Sequence, residues 1–108
     1  MTRRPAEGPG NRIPVRVDPD LEDLIPGFLE NRRGDLEAMR EALGRGDFAA
    51  IRSLAHTLKG VGGGYGFDGI TEISREIEES AGRGDLPATR RGIDRLSDYL
   101  SRVEVVFE

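Results

Sequence analysis

The sequence predicts an all-α fold, an antiparallel up-down four-helix bundle with a short extra helix at its N-terminal side, and three observations predict it. From Asp18 onward, apolar residues recur every three or four positions over segments of helical length. Helix-capping aspartates open these segments and glycines close them. The turns between them are short, which makes consecutive helices neighbours. No segment reads as a persuasive strand.

Asp18-Pro19 is a cap and first-turn pair that opens the short helix, and Pro26 should interrupt it, because proline removes a donor and biases Ile25 away from helical geometry. A longer helix then carries Phe28, Leu29, Leu36, Met39 and Leu43 on one stripe, tolerates Gly34 and ends near Gly44. Asp47 caps the next, which should last until the glycines at 62 to 64 make continuation cost about 1 kcal/mol each. Asp68 is the candidate cap of a third helix, whose Ile70, Ile73, Ile77 and Ala81 face one way before Gly82-Arg83-Gly84 stops it. Asp85 caps the fourth, with Pro87 in its first turn. Its seam of Leu86, Ile93, Leu96, Leu100, Val103 and Phe107 keeps steps of three and four, so the β-prone Val103–Phe107 stretch is read as the helix end.

With 108 residues the chain is one domain by length, large enough for a core without staples. It contains no cysteine and one histidine, which excludes a disulfide framework, thiol chemistry and a zinc cluster. No apolar run approaches the roughly 20 residues of a membrane span, and the N-terminal stretch lacks the apolar segment of a signal peptide. A soluble, cytoplasmic protein is expected. Residues 1–17 hold Arg3, Arg4, Arg12 and Arg16 against Glu7, net +3, so the remainder carries −7 of the total −4. That first segment, rich in proline and glycine, reads as a flexible basic tail, and residues 18–108 as the bundle. Four scattered arginines, with no basic stripe or stacking aromatics in the body, do not make a nucleic-acid site.

The single histidine, His56, is the most informative residue. At about 100° per residue it points away from both Leu54 and Leu58, so its imidazole faces out of the bundle. Arg52, Lys59, Gly60 and Gly63 share that outer face, while Ile51, Leu54, Ala55 and Leu58 form the inner one. An imidazole with an ordinary pKa of about 6.5 offers a ring lone pair at neutral pH, able to attack phosphorus without a base. Lys59 at i+3 supplies an ammonium to the oxygens of a phosphoryl group, although it also reads as an ordinary solvated lysine. Gly60 at i+4 removes the side chain that would stand beside the ring and leaves clearance for another protein. The Gly60–Gly66 run is not a nucleotide loop, since no strand precedes it and no Gly-Lys-Ser/Thr comes after it.

The run Ala55-His56-Thr57-Leu58-Lys59-Gly60 resembles the signature of histidine-containing phosphotransfer (HPt) domains of multistep two-component signalling. Gly66-Phe67, then Ile70, Ile73, Ile77 and Glu78, are similar to the family's segment after that signature, and Leu24–Glu30 and Gly46-Asp47-Phe48 to its lead-in. The resemblance covers roughly residues 18 to 105. The glycines at 60 and 62 to 64 depart from it, where many relatives carry Ser, Ala or Asn.

The resemblance implies a phosphoryl carrier. His56 would accept a phosphoryl group from a receiver-domain aspartate, or from a histidine kinase, and pass it to the aspartate of a response-regulator receiver. The receiver would supply Mg²⁺ and most catalytic groups, this chain binding no cofactor and being no enzyme itself. Glu78, by its family position, would orient the imidazole by accepting its other proton; an exposed glutamate on a charged face is the equal alternative. The docking surface would join Arg52 and Gly63 to the apolar Leu24 and Ile25 of the first helix. A monomer is the expected state, since the reactive face must stay free. Two other readings stand beside the carrier: a module that binds receivers without chemistry, and the phosphoacceptor domain of a larger hybrid or chemotaxis-type kinase.

Overall fold

A computed structural model describes residues 11–108. Four α-helices dominate it: α1 (Ile25–Gly44), α2 (Phe48–Gly64), α3 (Asp68–Gly82) and α4 (Leu86–Arg102). A strand precedes them, β1 (Ile13–Val17), with a 3-10 turn over Pro19–Leu24, and a second strand, β2 (Val103–Phe107), closes the chain. Helix α1 packs against α2 and α4, and α3 against α2 and α4, so the four enclose one core.

The same turn joins the helices three times. Gly46, Gly66 and Gly84 hold φ of 70°, 89° and 67°, a left-handed conformation that costs any other L-residue about 1–2 kcal/mol. In each case the residue after the glycine donates its N–H five positions back: Asp47 to Ala42, Phe67 to Gly62 and Asp85 to Ser80, at 2.9 to 3.0 Å. This is the glycine-terminated cap that satisfies the orphan carbonyls of a helix end. Asp47 and Asp85 then cap the next helix, their carboxylates accepting from the N–H groups of Ala50 and Ala88. The expected cap at Asp68 stands one residue too late. Phe67 occupies the cap position without a side-chain bond, and Asp68 lies in the first turn, where its charge complements the helix dipole.

Phe67 is used for packing instead. It is fully buried, and Phe28 of α1 stacks on it at 5.0 Å and on Tyr65 at 4.3 Å. The aromatic group clamps the α2–α3 turn to α1, which holds the glycine-rich end of α2 in helical form as far as Gly64.

Three expectations are corrected. The closing stretch Val103–Phe107 is a strand, not a helix end, so the fold is not purely helical. Its partner is β1, in parallel register from Ile13↔Val103 to Val17↔Phe107, so the last five residues of the expected tail are ordered, while residues 1–10 lie outside the described ones. Val15 and Val17 are buried and Pro14 and Arg16 exposed, the alternation of a strand with one face on the core. The segment after Asp18 is a 3-10 turn, and Pro26 does not interrupt it: Pro26 stands in the first turn of α1, where its missing N–H costs nothing.

A Cβ on Gly66 would stand 3.0 Å from the Arg16 carbonyl, whereas one on Gly84 would meet nothing within 4 Å. Gly84→Ala should therefore lower stability by about 1 kcal/mol, its conformational cost alone, and Gly66→Ala by about 2 kcal/mol or more. Urea midpoints at unchanged m-value measure both.

Candidate functional site

Helix α2 buries Ile51, Ala55, Leu58 and Gly62, a stripe with steps of three and four, and thereby turns His56 outward. His56 sits at the middle of α2 with 69 % of its side chain exposed. The carboxylate facing it comes from α3, whose buried Ile70, Ile73, Ser74, Ile77 and Ala81 bring Glu78 to the rim of the α2–α3 seam, 18 % exposed.

Gly62 lets the two helices approach. A Cβ there would fall 2.9 Å from the Ile70 Cβ, closer than real contacts allow, and 3.0 Å from the Phe67 carbonyl, tighter than nearly all of them. Nearer the site, the Thr71 hydroxyl donates to the Lys59 carbonyl at 2.9 Å and ties α3 to the α2 backbone.

Glu78 is the hub. Its Oε2 lies 3.0 Å from His56 Nδ1 and its Oε1 2.7 Å from Lys59 Nζ, so one carboxylate joins the two side chains that share the outer face of α2. The Lys59 ammonium, and after it the His56 ring, hold the Glu78 carboxyl below its ordinary pKa. An ionised carboxylate only accepts hydrogen bonds, so in the neutral imidazole the proton resides on Nδ1 and the Nε2 lone pair faces solvent. Because the pKa of Glu78 is depressed on folding, the stabilisation it provides is present above the ordinary carboxylate range. It is lost as pH falls through that lowered value.

The structure brings together His56, Lys59 and Glu78, with the Glu78 carboxylate in contact with both other side chains. Gly60 has open space around it: a Cβ would meet nothing within 4 Å, so packing within the described residues does not require glycine there. Gly63 is exposed and close to Thr71. Leu24 is 52 % exposed at the junction of the 3-10 turn and α1. Ile25 corrects the sequence reading: at 4 % exposure it belongs to the core, because it starts α1 and its side chain turns inward.

Arg52 lies over Gly82, its Nε 3.7 Å from where a Cβ would be. Together with Lys59, Arg75 and Arg83 it lines a groove of about 510 Å³ that also contains Glu78 and Glu79. Arg75, Arg83 and Thr71 escaped the sequence reading. Arg75 stands three residues before Glu78 on the same helix, a spacing that would have placed it near Glu78. Among the four helices α2 alone carries no carboxylate, which makes the surface around His56 locally basic on an acidic body.

The structure is thus a mostly helical bundle with an exposed histidine at the middle of one helix and a carboxylate 3.0 Å from one of its ring nitrogens. The chain matches the family of the Hpt domain over residues 23–105 and belongs to it. It is thus a domain of phosphotransfer in two-component signalling, a family whose members interact with receiver domains and kinases. No curated protein and no solved structure matches it. No helix among the described residues is long and apolar enough to cross a membrane.

If Glu78 sets the tautomer, Glu78→Ala removes the bias toward Nδ1–H. Imidazole ¹⁵N shifts should report a protonated Nδ1 in the wild type above the carboxylate range and a mixed population in the variant.

Proposed function

We propose that this domain carries a phosphoryl group on His56 Nε2, taking it from a receiver aspartyl phosphate or a histidine kinase and giving it to a response-regulator receiver. The observation that carries this reading is the Nδ1 contact with Glu78 at 3.0 Å on an otherwise exposed ring. The Nε2 lone pair attacks phosphorus, a P–N bond forms, the P–O bond to the donor aspartate breaks, and the carboxylate leaves with the electron pair. The proton on Nδ1 stays in place. The phosphorylated ring therefore bears a positive charge, and the Glu78 carboxylate beside Nδ1 offsets it.

Lys59 balances Glu78 in the resting state and turns toward the phosphoryl oxygens as they arrive, a movement of one flexible side chain. Gly60 leaves room for the receiver to close over His56. Leu24, Arg52 and Gly63 belong to the docking surface, and the receiver brings Mg²⁺, so this chain is a carrier and not an enzyme. The cytoplasm is where such partners would meet it. An up-down course of the helices places His56 on the side of the bundle, away from the turns. Contacts that step outward from the α2–α3 turn, Gly62 with Ile70, Lys59 with Thr71 and His56 with Glu78, support antiparallel packing of that pair.

Incubation with a phosphorylated receiver and Mg²⁺ should add one acid-labile phosphoryl group to the wild type, seen by intact mass, and none to His56→Gln. Label on His56→Gln, or none on a folded wild type offered several receivers and a histidine kinase, overturns the proposal. Lys59→Ala should still be labelled, but roughly tenfold more slowly, less than the ~10²-fold loss typical of a buried oxyanion donor because Lys59 is solvent-accessible.

A further inference from the structure

The two strands present different outer edges. In a parallel pair, successive residues turn their backbone N–H and C=O groups alternately toward the partner and away from it. Glu108 N–H donates to the Val17 carbonyl at 3.1 Å, and the register sets Val17 opposite Phe107. Ile13, Val15 and Val17 therefore bond to β2, while Pro14 and Arg16 turn outward. On β2 the groups of Glu104 and Val106 face β1, and those of Val103, Val105 and Phe107 face the far edge.

The β1 edge is closed. Pro14 has no N–H to offer, and the Arg16 carbonyl lies against the α2–α3 turn at Gly66. The β2 edge has no such guard. Val103 N–H is taken by the Tyr99 carbonyl of α4, but no acceptor meets Val105 or Phe107 N–H among the described residues. The strand Val-Glu-Val-Val-Phe is β-prone, carries one charge and lacks proline.

We infer that β2 pairs antiparallel with β2 of a second copy of this chain, about a two-fold axis at Val105, to build a four-stranded sheet ordered β1-β2-β2-β1. The register is self-complementary. Each Val105 N–H donates to the opposing Val105 carbonyl, and each Phe107 N–H to the opposing Val103 carbonyl, so every free donor of the edge finds an acceptor. The same register brings Glu108 of the second copy toward Arg102 at the end of α4, twice, placing a carboxylate near a guanidinium that also binds Asp98 at 2.8 Å and the Asn11 carbonyl at 2.7 Å. Val103, Val105 and Phe107, each half-buried at present, gain cover on the core side of the sheet.

The pairing edge lies across β1 from the α2–α3 turn, so it leaves His56 free. The monomer expected from sequence rests only on the need to keep that face open, which this dimer meets. A contact of five residues per strand is small, so association is weak and depends on concentration.

Sedimentation of the full chain from low micromolar to near-millimolar concentration tests this independently of phosphotransfer. The wild type should move from the 11.9 kDa monomer to a species of twice that mass. Val105→Pro removes an outward N–H without touching a bond to β1. Glu108→Arg, which also gives up the exposed Arg16–Glu108 contact at 3.3 Å, puts like charges near Arg102 of the second copy. Both should weaken dimerisation tenfold or more while helical circular dichroism is unchanged. A wild type that stays monomeric throughout, or a folded Glu108→Arg protein that associates as the wild type does, overturns the inference.

Discussion

Glu78 reaches His56 and Lys59 together only because α2 and α3 pack at backbone distance, and Gly62 is where they do so. With any side chain at that position Ile70 would be displaced and the seam widened, and a carboxylate that spans two donors at 3.0 and 2.7 Å has little slack. The glycine-rich end of α2 thus has a structural use at one position, Gly62, and an open surface at another, Gly60. Phe28, stacked on Tyr65 and Phe67, then holds the turn that keeps the seam closed. Packing, rather than helix propensity, keeps this segment helical.

The charge arrangement is a consequence of that geometry. An exposed imidazole in water has no reason to prefer one tautomer for the sake of a reaction; a carboxylate at Nδ1 supplies one. Lys59, and after it His56, favour the ionised form of that carboxylate and hold its pKa below the ordinary value, so the arrangement persists wherever carboxylates are ordinarily charged.

Most of the helical framework and the core of the site are legible in the sequence because their signals are local. Asp47 and Asp85 read as caps and are caps, and the outward angle of His56 comes from its distance to Leu54 and Leu58. The misses have physical reasons. Val103 and Phe107 satisfy a helical step of four and, with Val105, a strand step of two, and the choice between them depends on β1, about ninety residues away in sequence. Ile13, Val15 and Val17 alternate properly but sit beside prolines and arginines that read as tail. Ile25 could be docking apolar or core apolar, since an isoleucine before a proline carries no sign of which way it faces. Asp68 resembles a cap because an aspartate at a helix start so often is one, yet the cap position belongs to Phe67, whose side chain is needed in the core.

The proposed carrier role has Glu78 commit the imidazole to react through Nε2, and the most direct test is the site of phosphorylation on the ring, read by ³¹P–¹⁵N correlation in the phosphorylated, ¹⁵N-histidine-labelled wild type. Phosphorus should be coupled to Nε2 with the proton retained on Nδ1. Phosphorus on Nδ1 would contradict this, because that nitrogen would have had to leave Glu78 in order to react.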